Sequence, residues 1–348
     1  MSEVKKLLSS YTAEIDEALR ASIPAQDGLS LYQHLEYFLG FRDEKLSETE
    51  GYGGKRFRSA VCLMLGEWYE APDAALPVAT SIELFHNFTL IHDDIVDEDV
   101  SRRGRPTVWK LFGTDHAIND GDAQLVLALQ SVINASTLSD EQKTQLQSFL
   151  LAQYLRVIEG QHMDFMLTAA KLGDAIVTKE QYLAMIERKT ADLVAAATKG
   201  AGMASQLDTG ELEILFELGI TLGVAYQMYD DMVSIWSVEE KTGKQAFGDL
   251  YERKKSLPIL HAYEMLEEDQ QERLIKLYNK EKKPTKKEIT EMIALLEESG
   301  AHTYMQEEIR VRKVAAKALI LKLELPDDHK VVLREIVADL LPDDTLSA

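Results

Sequence analysis

Apolar residues along this chain recur at the three-to-four spacing of helices rather than the alternation of strands. Between 78 and 97, Val78, Ile82, Leu84, Phe85, Phe88, Ile91 and Ile95 make one broad helical face. Thr178 followed by Gln181 has the pattern of a capping box. It opens a helix running through Leu183, Ile186, Leu193 and Val194 to a stop signal at Gly200 and Gly202. Another helix is predicted over roughly 211–237. Loops are expected at 101–107, 114–122, 136–141, 203–210 and 280–287, and the tail 326–348 reads as a short amphipathic helix with a polar end. No βαβ alternation, hairpin signal or short repeat emerges.

The prolines sharpen this picture. All eight lie at 24, 72, 77, 106, 258, 284, 326 and 342, so residues 107–257 hold none. Proline inside a helix costs ~3 kcal/mol, and so long a gap predicts uninterrupted helices. The 348 residues, 45% hydrophobic, suffice for a sizeable core, whether in two domains or in one large helical domain. With 38 basic and 59 acidic side chains the net charge is −21. That balance excludes general nucleic-acid binding and docking on anionic lipid. A single cysteine, Cys62, excludes an internal disulfide and any multi-cysteine metal site, and its apolar neighbours predict a buried, inert thiol. The opening MSEVKKLLSS has no long apolar stretch, and nothing approaches the ~20 apolar residues of a membrane span. The expectation is a soluble, cytoplasmic protein without stable membrane insertion.

Two acidic motifs carry candidate chemistry. Residues 92–99 read His-Asp-Asp-Ile-Val-Asp-Glu-Asp, which on a helix stacks Asp93 and Asp97 one turn apart with Asp94 beside them. Like charges so placed repel unless a cation joins them, and Mg²⁺ is a hard ion that takes such oxygen ligands together with substrate phosphates. A second cluster, Gln227-Met-Tyr-Asp230-Asp231-Met-Val-Ser234, repeats the pair. Two such strings, each in an apolar helix, suggest helices facing one another across a metal-filled cleft. Basic groups lie close by in sequence: Gly53-Gly54-Lys55-Arg56-Phe57-Arg58, Arg102-Arg103-Gly104-Arg105-Pro106, Lys189-Thr190, Thr242-Gly243-Lys244 and Arg253-Lys254-Lys255. Guanidinium forks bind phosphate bidentately, so these imply an anionic ligand. No Walker A or Gly-x-Gly-x-x-Gly pattern fits. The lysine-rich 280–287 reads as a solvated helix connection.

At this point the residues resemble the trans-isoprenyl (polyprenyl) diphosphate synthases over roughly 50–265. GGKRFRS at 53–59, SIELFHNFTLIHDDIVDEDVSRRGRPT at 81–107, AINDGD at 117–122, KTADL at 189–193, YQMYDD at 226–231 and TGKQAFGDLYERKKSLPIL at 242–260 occur in the family's order. The resemblance implies an all-α fold, one large helical bundle of about a dozen helices around a deep central cavity, spanning 1–348 with C-terminal helices from 266 onward, and a homodimer. It also implies that an allylic diphosphate ionises with Mg²⁺, three ions in all, that isopentenyl diphosphate attacks the cation, and that a proton is lost. Carried over, Asp93, Asp94, Asp97, Asp230 and Asp231 would hold the metal. Arg102, Lys189 and Lys244 would contact the allylic diphosphate, with Lys254 near the closing loop, while Lys55, Arg58, His86 and Arg103 would hold isopentenyl diphosphate. Thr190 and Gln227 would line the cation.

The apolar residues Phe85, Phe88, Ile91, Met228 and Met232 could wall that cation from water, with Ile91 and Met232 read as ordinary core. Ser234 stands where many members have a third Asp, and Phe57 and Ser59 replace the usual Leu and Pro, read as packing changes. Phe88 stands five residues before Asp93, about 7.5 Å along a helix, where a bulky side chain makes a floor for the growing tail. Thr89 is small and leaves part of the channel open. In the family this pattern goes with medium products, and C20 geranylgeranyl diphosphate is the expectation, with C15 and C25 as neighbours. A class I terpene cyclase stays open as an alternative, though it has no use for the second set of cations. So does a non-catalytic, product-tuning subunit, which would be expected to lose the first acidic motif. A purely structural scaffold leaves the paired motifs unexplained.

Overall fold

A computed structural model describes residues 3–25, 28–49, 53–236 and 247–342, and nearly all of its regular elements are helices. In order they are α1 Glu3–Ser10, α2 Thr12–Ser22, α3 Ser30–Leu39, α4 Phe57–Trp68, α5 Pro72–Val96, α6 Val108–Phe112, α7 Thr114–Ile133, α8 Asp140–Ala169, α9 Lys179–Ile186, α10 Asp192–Ala204, α11 Thr209–Trp236, α12 Gly248–Glu252, α13 Leu257–Met265, α14 Glu268–Tyr278, α15 Lys286–Glu298, α16 Ala301–Lys322 and α17 Asp327–Leu340. The all-α expectation holds. The chain forms two compact units, Met1–Tyr154 with Ala195–Phe216 and Leu155–Val194 with Glu217–Ala348, passing from one to the other within α8, α10 and α11.

In the first unit α5 packs on α4 and on α7. Its expected face is buried from Val78 through Phe85 to Ile91. Gly66 lets α4 approach closely, because a Cβ there would lie 2.2 Å from that of Ala75. Cys62 is fully buried, and burial pushes its thiol pKa up, as expected of an inert group. Pro72 starts α5 at its first turn, but Pro77 sits inside the helix, against the rule that proline ends one. The Ser131 hydroxyl of α7 donates to the Pro77 carbonyl at 3.3 Å. By length and composition α5 could cross a membrane, contrary to the expectation from the sequence, yet 67% of that stretch is buried inside the protein.

Three expectations change. Residues 114–122 are not a loop but the first half of α7. Their Asp-Gly-Asp turn chemistry is overridden by packing: His34 of α3 bonds the buried Asp120 carboxylate at 3.1 Å, and Gly121 admits the His92 ring, which would meet a Cβ at 2.3 Å. Residues 101–107 contain a minimal hairpin, Ser101–Arg102 against Arg105–Pro106. Arg103 (φ 53°) and Gly104 (φ 77°) supply the two left-handed positions of its turn. The helix opening after Thr178 is not continuous, because a π-helical segment, Glu187–Ala191, separates α9 from α10. The Thr178 hydroxyl does accept from the Gln181 amide at 3.2 Å. Full capping boxes lie elsewhere, at Ser139 and Gln142 before α8 and at Thr285 and Glu288, where one closes the lysine-rich connection before α15.

Candidate active site

The first acidic motif ends α5. Asp97 is the C-cap, its amide donating to the Asp93 carbonyl at 2.8 Å, so all three carboxylates gather where the helix already exposes negative carbonyl ends. Asp94 is 1% exposed. Its Oδ1 accepts from Arg102 Nε at 2.6 Å, and its Oδ2 is buried without a hydrogen-bond partner. Burial pushes this carboxyl up to about 6, although the Arg102 guanidinium pulls the other way. No group of three His, Cys, Asp or Glu closes a metal site by itself among the described residues. An orphaned buried oxygen beside two further carboxylates nonetheless fits a hard cation that draws its remaining ligands from water and phosphate.

The hairpin carries the next two arginines to different tasks. Arg102 bonds Asp94 and reaches Asp99 at 3.9 Å. Arg103 turns onto the glycines before α4, where a Cβ at Gly54 would lie 2.7 Å from its Nη2. Glycine at 54 is therefore what lets the arginine turn meet this stretch. Within reach of each other are Arg58 Nη1 and His86 Nε2, 3.5 Å apart. Burial, then the Arg58 charge, lower the His86 imidazole to about 3. At neutral pH it offers a hydrogen bond and no charge. Lys55 is exposed.

Arg56, between them, has another role that its motif does not reveal. It is enclosed, bonding Asp16 at 2.9 Å, Glu83 at 3.0 Å and the Leu39 carbonyl at 2.6 Å. Ser59, read from the sequence as a packing change, donates to Glu83 at 2.8 Å and belongs to this polar hub. Burial opposes ionisation of Glu83, but Arg56, His86 and these bonds outweigh it and hold the carboxyl at about 2. Arg105 is likewise structural, bonding the Arg42 carbonyl at 2.6 Å. Phe88 is buried against Phe85, at 5.4 Å between ring centroids, and His92, at 4.9 Å. Phe85 in turn stacks on Tyr154 at 3.8 Å, while the Thr89 hydroxyl is turned back to the His86 carbonyl.

In the second unit the π-helical segment organises the site. A Cβ at Gly160 of α8 would lie 2.2 Å from the Lys189 amide nitrogen, and one at Gly223 of α11 would lie 2.4 Å from Ala191 Cα. Two glycines thus admit the widened turn between two helices. Arg156 ties its two ends, bonding Glu187 at 2.9 Å and Asp192 at 2.6 Å. The turn aims consecutive side chains differently: Lys189 Nζ meets Asp164 at 2.5 Å, and the Thr190 hydroxyl donates to Gln227 Oε1 at 2.8 Å. Single π-turns inside helices cluster at functional sites.

On α11, Gln227 Nε2 donates to Asp231 Oδ1 at 2.8 Å, and the Tyr182 hydroxyl donates to Asp231 Oδ2. Burial, then Asp249 and Asp230, push the Asp231 carboxyl up to about 8. Ser234 does not face an empty third position. Its hydroxyl donates to Asp249 Oδ1 at 2.8 Å and accepts from the Asp249 amide at 3.2 Å. Lys254 Nζ lies 3.9 Å from the same carboxylate. Phe247 and Arg253, both left-handed, bracket the short helix that carries Asp249. Lys189, Thr190, Gln227, Asp231 and Lys254 line one cleft, together with Tyr182 and Asp164. Lys244, with Thr242 and Gly243, lies outside the described residues.

Sequence reasoning missed Tyr182, Asp249, Gly160 and Gly223. Tyr182 stands two helical turns before Lys189, and a lone glycine within a helical pattern was a readable signal at 160. Met228 and Met232 are core, as is Ile91.

Residues 43–296 match the sequence pattern of the family described as polyprenyl synthetase. The chain is 33% identical over 305 residues to a short chain isoprenyl diphosphate synthase of Methanothermobacter thermautotrophicus, covering 87% of this chain and 88% of that one. It is 32% identical over 312 residues to a geranylgeranyl diphosphate synthase of Mycobacterium tuberculosis, covering 84% and 85%. The crystal structure of geranylgeranyl pyrophosphate synthetase from Pyrococcus horikoshii superposes with a TM-score of 0.85 at 29% identity, covering 98% of each chain. With the acidic motifs, the arginine turn and the π-turned Lys-Thr pair in place, the chain belongs to the polyprenyl synthetase family.

Proposed function

We propose that this prenyltransferase condenses isopentenyl diphosphate with an allylic diphosphate and stops at the C20 product, geranylgeranyl diphosphate. The observation that carries the transfer reading is the cleft shared by Lys189, Thr190, Gln227, Asp231 and Lys254, which sets phosphate-binding cations beside neutral oxygen atoms suited to a carbocation. Asp93, Asp94, Asp97, Asp230 and Asp231 are the residues that would hold Mg²⁺, three ions in all, with Asp249 as a further carboxylate behind Ser234. The metal, when bound, acts as a Lewis acid toward the departing diphosphate.

The chain's own groups do the rest. Lys189, Lys254, Arg102 and Lys244 bind and orient the allylic diphosphate, adding fixed positive charge where negative charge develops. Lys55, Arg58 and Arg103 bind isopentenyl diphosphate, and neutral His86 contributes a hydrogen bond. The allylic C–O bond breaks, its electron pair leaving with the diphosphate. The alkene carbon of isopentenyl diphosphate then bonds to the cation, and loss of a proton restores an alkene. Water must be kept from the cation, and the Phe85–Phe88 aromatic pair suits that task.

The testing experiment is one incubation of the purified protein with Mg²⁺, isopentenyl diphosphate and C5, C10 or C15 primers, read by chromatography. C20 product from these primers is the expected result. Cyclic hydrocarbon from an allylic diphosphate alone would instead make the protein a cyclase, and no product without an added partner would make it a tuning subunit. For product length, Phe88→Ala is expected to move the main product beyond C20, because it opens the floor ~7.5 Å from Asp93. An unchanged distribution would sink the floor assignment.

A homodimer is part of the same reading. Ile118, Val126 and Ile133 of α7 and Leu151, Leu155 and Ile158 of α8 are exposed at helical spacing. Such apolar stripes suit burial against a second copy. Light scattering is expected to return twice the chain mass.

A further inference from the structure

Tyr182 lies on α9, is 1% exposed and belongs to none of the motifs read from the sequence. Its hydroxyl donates to Asp231 Oδ2, Gln227 Nε2 donates to Asp231 Oδ1 at 2.8 Å, and the Thr190 hydroxyl donates to Gln227 Oε1 at 2.8 Å. Four side chains from α9, the π-helical segment and α11 thus form one chain of hydrogen bonds. Its order decides the direction of the Gln227 carboxamide. With the Tyr182 hydroxyl donating to Oδ2, Asp231 keeps Oδ1 as an acceptor toward Gln227, and that oxygen draws the NH₂ end toward itself. The carbonyl end is left on the Thr190 side. The two ends of an amide are opposite poles of a dipole: its oxygen stabilises a neighbouring cationic carbon, and its NH₂ group would repel one.

We propose that Tyr182 is a positioning residue for prenyl transfer, fixing Asp231 so that the Gln227 carboxamide presents its oxygen to the developing allylic cation. This rests on the reading of Gln227 and Thr190 as the groups that line that cation. The two bonds to Asp231 use about half of the roughly four acceptor positions of a carboxylate, so the role is compatible with metal contact and has to be separated from it by experiment.

The separation is a double-mutant cycle on the full chain, comparing Tyr182→Phe, Gln227→Leu and the pair. Melting temperatures would be measured alongside kcat, the KM for isopentenyl diphosphate and the Mg²⁺ half-saturation. Tyr182→Phe is expected to lower kcat about tenfold, the scale of one lost hydrogen bond, with KM and Mg²⁺ dependence unchanged. In the Gln227→Leu background the same substitution is expected to cost nothing further, because the group it orients is gone. An equal loss in both backgrounds, or a shifted Mg²⁺ half-saturation, overturns the role of Tyr182 alone. Full kcat in Gln227→Leu overturns the cation reading as well. If Tyr182→Phe does not fold, Tyr182→Met is carried through the same cycle with Gln227→Leu, and equal losses in both backgrounds overturn the proposal.

Discussion

Asp94→Asn is expected to lower the rate of prenyl transfer by on the order of 10³-fold, the scale of several kcal/mol of metal-derived stabilisation, while making the metal-free protein more stable. The two effects have one cause. Burial raises the Asp94 carboxyl from its ordinary 3.8 to about 6, so the folded state resists the charge that binding a cation requires. The sign follows from linkage. Below pH 3.8 the group is protonated whether folded or unfolded, and no penalty exists. Between 3.8 and about 6 the unfolded chain ionises more readily than the folded one, and stability falls as pH rises. Above about 6 the penalty is complete, roughly 3 kcal/mol at 1.36 kcal/mol per pH unit. Melting in EDTA is therefore expected to show Asp94→Asn above the parent at pH 7.5 and level with it near pH 4. The amide oxygen can still accept from Arg102, so the hydrogen bond survives although the ion pair is lost. A variant that lost activity and stability together at pH 7.5 would mark Asp94 as a structural ion-pair partner.

How much of this was readable beforehand differs between the two kinds of information involved. The acidic pairs, the arginine turn and the Lys-Thr pair declare themselves locally, because carboxylates at helical spacing and cations beside glycines are patterns of a few residues. The same holds for the buried face of α5. What stayed hidden depends on neighbours distant in sequence. Arg56 and Arg58 are two residues apart in one motif, yet one is the hub between Asp16, Glu83 and the Leu39 carbonyl while the other meets His86. Nothing within GGKRFRS distinguishes them. Residues 114–122 carry turn chemistry and still form a helix, because His34 and His92 pack on them from elsewhere. Ser234 reads as the loss of a carboxylate, whereas the structure has it holding one, Asp249, from fifteen residues away.

The π-helical segment is the feature whose disruption is expected to do most damage to fold and activity together, and Gly160→Ala tests it. A methyl group at this position would sit 2.2 Å from the Lys189 amide nitrogen and 2.7 Å from its Cα, both backbone atoms with no rotamer to escape into. The turn must move, and Lys189 and Thr190 move with it. Displacements of about 1 Å at reacting groups cost on the order of 100-fold in rate, and overpacking typically costs 1–3 kcal/mol in stability. In both respects alanine, ordinarily the better helix former, is expected to be the worse residue here. Gly202→Ala is the control. Its added methyl would meet Leu215 and Leu212 methyl carbons at 2.7 and 2.8 Å, flexible ends that can rotate away, so activity is expected to survive. Gly223→Ala presses on Ala191 from another helix, and its losses should combine with those of Gly160→Ala less than additively, because both deform the same turn. Wild-type melting and kcat/KM in Gly160→Ala would show that the segment tolerates displacement and does not aim the Lys189–Thr190 pair.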